Sequence, residues 1–229
     1  MTPTVKCVTQ FCGRKAIEAI RIQALPDFWS RMPLNVHPQD QAILAGPDAG
    51  CFNLDYPPPA FIGDIVNAKV VILLLNGGFD PEVTPAEFPD TASEVAYRDR
   101  LARPRLIEDR HTAPYYLGRN YTQWLREGRA AVLNAVAYRS RDTGDACVAR
   151  LAKVLPSAEF HRTWLRETLW PEVSAGRRFV VVNRWGLWNG ADAVFRNCDF
   201  ATGWHAARSR DLSRREYDAA SRFLARQTG

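Results

Sequence analysis

The sequence predicts an α/β protein of three layers, α/β/α, built around a central four-stranded parallel sheet. Short apolar runs alternate with longer helical patterns along the chain, which is typical of parallel strands joined by helices. The most apolar run, "VVILLL" at residues 70–75, does not alternate with polar residues. A strand of this kind is buried on both faces, so helices are expected to cover both faces of the sheet.

The predicted elements follow one another without an internal repeat. Strands are expected at residues 69–75, 129–138, 177–183 and 198–205. Helices are expected at residues 13–24, about 91–103, 145–154 and 157–170. Pro171 should end the last of these helices, because proline has no N–H to continue the hydrogen-bond ladder. The segment "YPPPAFIGD" at residues 56–64 reads as rigid chain that leads into the first strand, and Ser213 and Glu216 form the capping box of a C-terminal helix.

The composition is that of an ordinary globular protein. The 229 residues are expected to form a single domain with an N-terminal helical or loop extension over about residues 1–55. The 30 Lys and Arg residues exceed the 25 Asp and Glu residues, and the net charge of +5 favours weak attraction to a polyanion such as DNA. No apolar run approaches the roughly 18 residues that span a bilayer. A cytoplasmic monomer with no membrane partner is therefore expected.

Five cysteines are scattered along the chain and form no CxxC pair. They are Cys7, Cys12, Cys51, Cys147 and Cys198. Zinc sites and iron–sulfur clusters usually bring cysteines in closely spaced pairs. The pattern therefore predicts reduced, structural thiols, no metal and no cofactor.

Ligands of open parallel sheets bind beyond the carboxyl ends of the strands, so the loops at those ends are the candidate site. Asn76, Gly77 and Gly78 follow the first strand. The glycines let the backbone approach a ligand, and the Asn76 amide can orient a water or bond to the edge of a base. Asp80 and Glu82 could act as bases in the same loop. The alternative is that Asn-Gly-Gly is only a tight turn.

The other three strand ends also carry polar side chains. Asn134 lies within the apolar second strand and needs partners for its amide, which a core network could equally supply. Arg139 and Arg141 form a basic pair suited to phosphates or, alternatively, a solvated surface. After the third strand, Arg184 is a candidate phosphate or base contact.

Trp185 and Trp188 follow Arg184, and they either cap the core or form a stacking platform for bases. The loop after the fourth strand carries His205, which can donate a hydrogen bond to a negatively charged leaving group. Arg208, Ser209 and Arg210 follow it and can contact phosphates, although a solvated face gives the same pattern.

In order and spacing, three segments resemble the uracil-DNA glycosylase superfamily over about residues 56–226. They are "PPPAFIGDIVNAKVVILLLNGG", "VLNAVAYRSR" and "WHAARS". The resemblance implies that Asn76 positions the attacking water, that Asn134 reads the uracil edge and that His205 stabilises the departing base. The chain departs from the family's motifs at Leu74, Gly77 and Ala206.

The resemblance implies a DNA glycosylase that uses water to cleave the N-glycosidic bond of uracil or another modified base. Such an enzyme flips the nucleotide out of the stack and sandwiches the base against an aromatic ring. Phe79 is the expected ring, with Tyr115 and Tyr116 as alternatives, and Asn76 and His205 should face each other across one cleft. Two other functions fit the same fold: an enzyme or binder of free nucleotides, and a member that recognises a base or a protein without catalysis.

Overall fold

The computed structural model describes residues 21–142, 144–204 and 211–227. Its strands are β1 (Phe61–Ile62), β2 (Val70–Gly78), β3 (Ala130–Ser140), β4 (Phe179–Val182) and β5 (Ala201–Gly203). Its first helices are α1 (21–29), α2 (Gln41–Leu44), α3 (Thr84–Glu87), α4 (Thr91–Ala102), α5 (Pro114–Leu117) and α6 (Thr122–Arg126). The later ones are α7 (Ala146–Val154), α8 (Pro156–Trp164), α9 (Trp170–Ser174) and α10 (Arg214–Arg226). Short 3-10 helices cover Pro38–Asp40, Pro47–Cys51, Asp109–His111 and Ala191–Phe195.

The five strands form one sheet in the order β1-β3-β2-β4-β5. Strands β3, β2, β4 and β5 are mutually parallel, and β1 pairs antiparallel with β3 at one edge. The α/β class predicted from the sequence is confirmed. The sheet has five strands instead of the predicted four, because the two residues of β1 are too few to give a periodic pattern within the proline-rich segment.

Both faces of the sheet are buried, as the absence of alternation in the first strand predicted. Val71 and Leu73 of β2 belong to one apolar cluster, whereas Val70 and Ile72 belong to another. The first cluster includes residues of α1, α7 and α8, and the second includes residues of α5, α6 and α10. Since successive side chains of a strand point to opposite faces, the two clusters are the layers on either side of the sheet.

The helix predicted at residues 157–170 does not end at Pro171. Helix α8 continues through a π-helical turn, Leu165–Leu169, into α9, which extends to Ser174. Pro171 lies just after the π-helical turn, an irregularity of the kind that accompanies an interrupted hydrogen-bond ladder in a helix. The C-terminal capping box is confirmed, because Ser213 and Glu216 each bond to the other's backbone N–H.

Cys51 and Cys147 form a disulfide between the 3-10 helix Pro47–Cys51 and α7, with their Cα atoms 6.1 Å apart. The expectation of reduced thiols was wrong for this pair, because a separation of 96 residues hides their proximity in the fold. Cys198 is a half-buried free thiol, and Cys7 and Cys12 lie outside the described residues. Disulfides persist mainly in oxidising compartments, so this bond argues against the expected cytoplasmic location, which stays a prediction.

Within the described ranges, no helix combines the length and the apolar character that crossing a bilayer requires.

Candidate functional site

Asparagine side chains lie on or directly after three adjacent strands: Asn134 in the middle of β3, Asn76 near the end of β2, and Asn183 just past the end of β4. The register places Leu74 of β2 opposite Asn134 of β3, and Leu73 of β2 opposite Val182 of β4. Asn183, the residue after Val182, therefore lies in the same row as Leu74 and Asn134. Neighbouring strands are about 4.8 Å apart, so this row places the two asparagines on either side of β2.

Asn76 lies further along β2, opposite Val136 of β3. Its side chain is 8% exposed, and its Nδ2 donates to Ser140 Oγ at 2.6 Å and, over a longer distance, to the Tyr138 carbonyl at 3.4 Å. The buried Oδ1 atom of Asn76 has no hydrogen-bond partner among the described residues. The amide is thus held in one orientation by its nitrogen, while its oxygen remains able to accept from a water or a ligand.

Asn134 is fully buried, and only half of its amide is satisfied. Its Nδ2 donates to the Pro59 carbonyl and to Tyr116 Oη, the latter at 3.3 Å. Burial raises the pKa of the Tyr116 phenol above its ordinary value, so this hydroxyl stays neutral. Within the part of the chain that the structure describes, Asn134 Oδ1 has no partner. The core network considered from the sequence therefore accounts for the nitrogen and not for the oxygen.

Asn183 is 2% exposed, and neither its Nδ2 nor its Oδ1 has a partner in the described ranges. Asn183 was not among the predicted site residues, because the interpretation of this strand end rested on Arg184, Trp185 and Trp188. The same signal that selected Asn76, an amide directly after a buried strand, would have found Asn183 as well.

Gly77 and Gly78 were both predicted to let the backbone approach a base, and they lie in different surroundings. A Cβ atom at Gly77 would overlap the ring of Pro59, whereas a Cβ atom at Gly78 would meet nothing within 4 Å. Gly77 therefore allows the proline-rich segment to pack against β2. Gly78 is exposed and leaves open space beside the strand end.

Arg139 has an internal role instead of the predicted phosphate contact. It is 2% exposed and pairs with buried Glu87 at 3.0 Å, and it also donates to the carbonyls of Pro57 and Gly78. Burial raises the pKa of the Glu87 carboxyl, and the charge of Arg139 opposes that shift. Strand β3 extends two residues beyond its predicted end, to Ser140, and this extension places Arg139 inside the fold.

Phe79 and Arg141 line a different part of the strand ends. The exposed Arg141 guanidinium lies 5.6 Å from the centre of the half-buried Phe79 ring. Both border an open cleft of about 390 Å³ whose other walls include Cys51 and Asn53. The residues lining this cleft do not include Asn76, Asn134 or Asn183. The structure thus separates the predicted stacking ring from the amides, and the role of Phe79 stays a prediction.

The alternative stacking rings, Tyr115 and Tyr116, lie together at α5. Tyr116 is buried against Asn134, and the half-buried Tyr115 ring meets it edge-on at a centroid distance of 5.0 Å. The Arg119 guanidinium lies 5.2 Å from the centre of the Tyr115 ring. Tyr116 is therefore the aromatic ring in direct contact with the amide row.

The two tryptophans after β4 have different environments. Trp188 is fully buried in the core, as the first interpretation predicted, whereas Trp185 is 46% exposed. The half-buried Arg184 donates its backbone N–H to the Leu73 carbonyl at 3.1 Å. Trp185 and the Arg184 side chain therefore remain the candidates for a contact with a ligand.

The chain turns sharply at the end of β5. Gly203 has φ 125°, where a Cβ atom would overlap the Val182 backbone, and Trp204 has φ 61°, a left-handed conformation that is uncommon for a bulky residue. The Trp204 indole donates to Asp192 Oδ2 at 2.7 Å, which holds this turn in place. Strained backbone of this kind clusters at functional sites.

Four of the predicted site residues lie outside the described residues. They are His205, Arg208, Ser209 and Arg210. The predicted pairing of His205 with Asn76 across a cleft therefore stays a prediction. Trp204, the residue before His205, donates its N–H to the Val182 carbonyl and so adjoins Asn183.

Comparison with known proteins identified no relative. No family model matches the chain, and no curated protein and no solved structure matches it. In the described parts of the chain, no three His, Cys, Asp or Glu side chains converge as metal ligands.

Proposed function

We propose that the protein recognises a nucleobase at the carboxyl edge of its sheet and hydrolyses the N-glycosidic bond of uracil or another modified base in DNA. The observation that carries this proposal is the group of buried amide atoms without partners on Asn76, Asn134 and Asn183. A buried polar group left unpaired costs about 1–3 kcal/mol. Three such amides on adjacent strands are explained if a ligand with hydrogen-bonding edges completes them.

Two of these amides, Asn76 and Asn134, have a part in this mechanism. Asn76, oriented by its bond to Ser140, accepts a hydrogen bond from the attacking water through Oδ1. Asn134 accepts an N–H of the base through its own Oδ1. The water attacks the sugar carbon as the bond to the base breaks, and the sugar develops oxocarbenium character. The base takes the bonding electron pair and leaves as an anion, which is neutralised by the proton that the water loses. The resemblance to the uracil-DNA glycosylase superfamily adds His205 as the donor to the departing base.

DNA is the proposed partner, and the protein is proposed to act on it as a monomer. With Arg139 engaged by Glu87, the phosphate contacts fall to Arg141, Arg184, Arg208, Ser209 and Arg210. Arg141 is exposed at the Phe79 cleft, and Arg184 adjoins the amide row. Arg141 follows β3 and Arg184 follows β4, so their side chains would contact a nucleic-acid backbone from either side of β2.

A second candidate is recognition of a base without hydrolysis, and the Asp80 carboxylate favours it. Asp80 Oδ1 accepts the backbone N–H groups of Glu82 and Val83, at 2.9 and 3.2 Å, and so serves the loop as a turn residue. Glu82 itself is exposed. An amide such as Asn76 can hold a water but cannot take its proton, so the described residues are better suited to recognition than to base catalysis.

The proposal is tested with uracil-containing oligonucleotides, single- and double-stranded, followed by alkali to reveal abasic sites. The wild type should cleave, and Asn76→Ala should abolish cleavage while the oligonucleotide still binds in fluorescence anisotropy. Asn67→Ala, at an exposed asparagine before the other end of β2, is the matched control and should keep full activity. Binding without any cleavage by the wild type would select the second candidate. Absence of both would refute the proposed function.

A further inference from the structure

We infer that Asn183 determines which base is bound, by pairing through both atoms of its amide with the hydrogen-bonding edge of the ligand. The inference rests on the proposed base recognition and gives a role to a residue outside the motifs found in the sequence. Asn183 is 2% exposed, and within the described ranges both Nδ2 and Oδ1 lack a partner. Buried amides in folded proteins are almost always satisfied, so a wholly unpaired one needs an explanation.

Asn183 differs from the other two amides in what it can offer. Asn76 and Asn134 each use Nδ2 inside the protein, so only an acceptor oxygen remains for a ligand. Asn183 retains a donor and an acceptor side by side. This pair matches an edge that also presents a donor beside an acceptor, such as N3–H and O4 of uracil or the N6 amino group and N7 of adenine. Specificity at this row therefore falls to Asn183, and Asn134 supplies one additional acceptor.

The backbone around Asn183 is fixed from both neighbouring strands. The Arg184 N–H donates to the Leu73 carbonyl of β2, and the Trp204 N–H donates to the Val182 carbonyl beside β5. These bonds, at 3.1 and 3.0 Å, hold the residues on either side of Asn183. The amide is thus kept in place although it makes no bond of its own, as expected for a preorganised binding group.

The strand alternation places the Asn183 side chain on the face of the sheet that carries Asn134. Phe179 and Val181 of β4 belong to the same apolar cluster as Tyr116, to which Asn134 donates. Asn183 continues this alternation by two residues. Asn134 and Asn183 therefore flank one row from β3 and β4, with the apolar Leu74 of β2 between them.

Replacing Asn183 with leucine tests whether the amide is unpaired. Leucine has nearly the same size and removes both polar atoms, so the melting temperature should rise by about 2–8 °C. A lower melting temperature would mean that the amide is satisfied in the free protein, and it would overturn the inference. Asn53→Leu is the matched control. Asn53 Oδ1 is also unpaired in the described structure, but Asn53 lines the cleft beside Phe79 and Arg141 and is not part of the row of amides.

The binding arm uses four free bases as probes: uracil, 3-methyluracil, adenine and 7-deazaadenine. 3-Methyluracil lacks the N3–H donor of uracil, and 7-deazaadenine lacks the N7 acceptor of adenine. The wild type should therefore bind either uracil or adenine about 5- to 150-fold more tightly than the modified form of that base. Asn183→Leu should lose this discrimination, and Asn53→Leu should keep it.

The two possible failures are distinguishable. Discrimination that survives in Asn183→Leu overturns the inference about this residue and leaves base recognition standing. If the wild type binds none of the four bases, base recognition itself fails and this inference fails with it.

Discussion

Two regions of buried polar groups meet at Asn134, and they differ in whether the atoms of Asn134 find hydrogen-bond partners there. In the inner region, the Trp29 indole donates to His161 Nε2 at 2.9 Å, and His161 Nδ1 lies 2.8 Å from the Asn134 carbonyl. Since Nε2 accepts, Nδ1 is assigned the proton and donates to that carbonyl. In the second region, formed by the amides of Asn76, Asn134 and Asn183 towards the carboxyl edge of the sheet, the amide oxygen of the same Asn134 has no partner in the described structure.

The inner region continues around a buried carboxylate. The Tyr138 hydroxyl donates to Asp40 Oδ2 and accepts from the His37 backbone N–H at 3.1 Å. Asp40 Oδ1 accepts the Ser157 N–H at the start of α8, at 3.0 Å. Each of these bonds joins segments that are far apart in sequence, so the network fixes the packing of the N-terminal segments and α8 against the sheet.

For Asn134 itself, we expect this difference to distinguish the backbone carbonyl, which serves the fold, from the amide oxygen, which is free for a ligand. A satisfied buried group stabilises one arrangement of the chain, whereas an unsatisfied one makes the free protein less stable and improves the binding of whatever completes it. Changes in the inner region should therefore affect stability, and changes at the edge should affect binding.

The largest expected effect distinguishes two arginines that the sequence treated alike. Arg139→Ala leaves Glu87 buried without its partner, so the free energy of unfolding should fall by about 3–5 kcal/mol in urea titrations. Arg141→Ala removes the same charge at an exposed position and should change stability by less than about 0.5 kcal/mol. If DNA binds as proposed, Arg141→Ala should instead reduce the salt dependence of log K by about 0.9. Equal stability losses in both variants would contradict this assignment.

Two adjacent glycines give the next comparison. Gly77→Ala forces the Pro59 ring away from β2 and disturbs the carbonyl that accepts from Asn134, so stability should fall by about 1–3 kcal/mol. Gly78→Ala places its methyl group in open space and should have almost no effect on unfolding. If the Gly78 variant were the more damaging, the packing role given to Gly77 would be wrong.

The inner region should also respond to pH. Burial lowers the pKa of His161 from 6.5 to about 4, so the unfolded chain binds more protons than the folded one below pH 6.5. Stability is fully present above pH 6.5 and is lost as the pH falls towards 4, with a loss of about 1 kcal/mol between pH 7 and pH 5.5 from this group. His161→Gln should show a smaller loss over this interval than the wild type. Burial also lowers the pKa of His111, but this residue is only half-buried, so His111→Gln should remain closer to the wild type.

An NMR titration of the imidazole signals provides an independent check. The His161 signal should still report a neutral ring at pH 5.5. A His161 that titrates near 6.5 in the folded protein would refute the explanation by burial.

The smallest effect on stability is expected at the edge. Asn76→Ala loses the bond to Ser140 and also removes an unpaired oxygen, so the two contributions should cancel within about 0.5 kcal/mol. If the free energy of unfolding fell by well over about 1 kcal/mol in thermal or urea denaturation, Asn76 would have a structural role instead.

The sequence predicted the parts of the fold that depend on local pattern. The unbroken apolar run of β2, the position of Asn76 at its end and the Ser213 capping box all depend on residues close together in the chain. Arg139 was misassigned because nothing in its neighbourhood marks where β3 ends, and its partner Glu87 is 52 residues away. The unpaired amide of Asn183 and the disulfide depend on tertiary contacts, which a single sequence does not contain.

The disulfide closes a large covalent loop in the chain. Cys51 and Cys147 close a ring that contains β1, β2 and β3, so three of the five strands in the described sheet lie within one loop. Arg105 is exposed in the connection after α4 and offers trypsin a site inside this ring, whereas the bond after Arg103 leads into Pro104 and resists trypsin. A chain cut there should migrate as one species on a non-reducing gel and separate into two fragments once the disulfide is reduced.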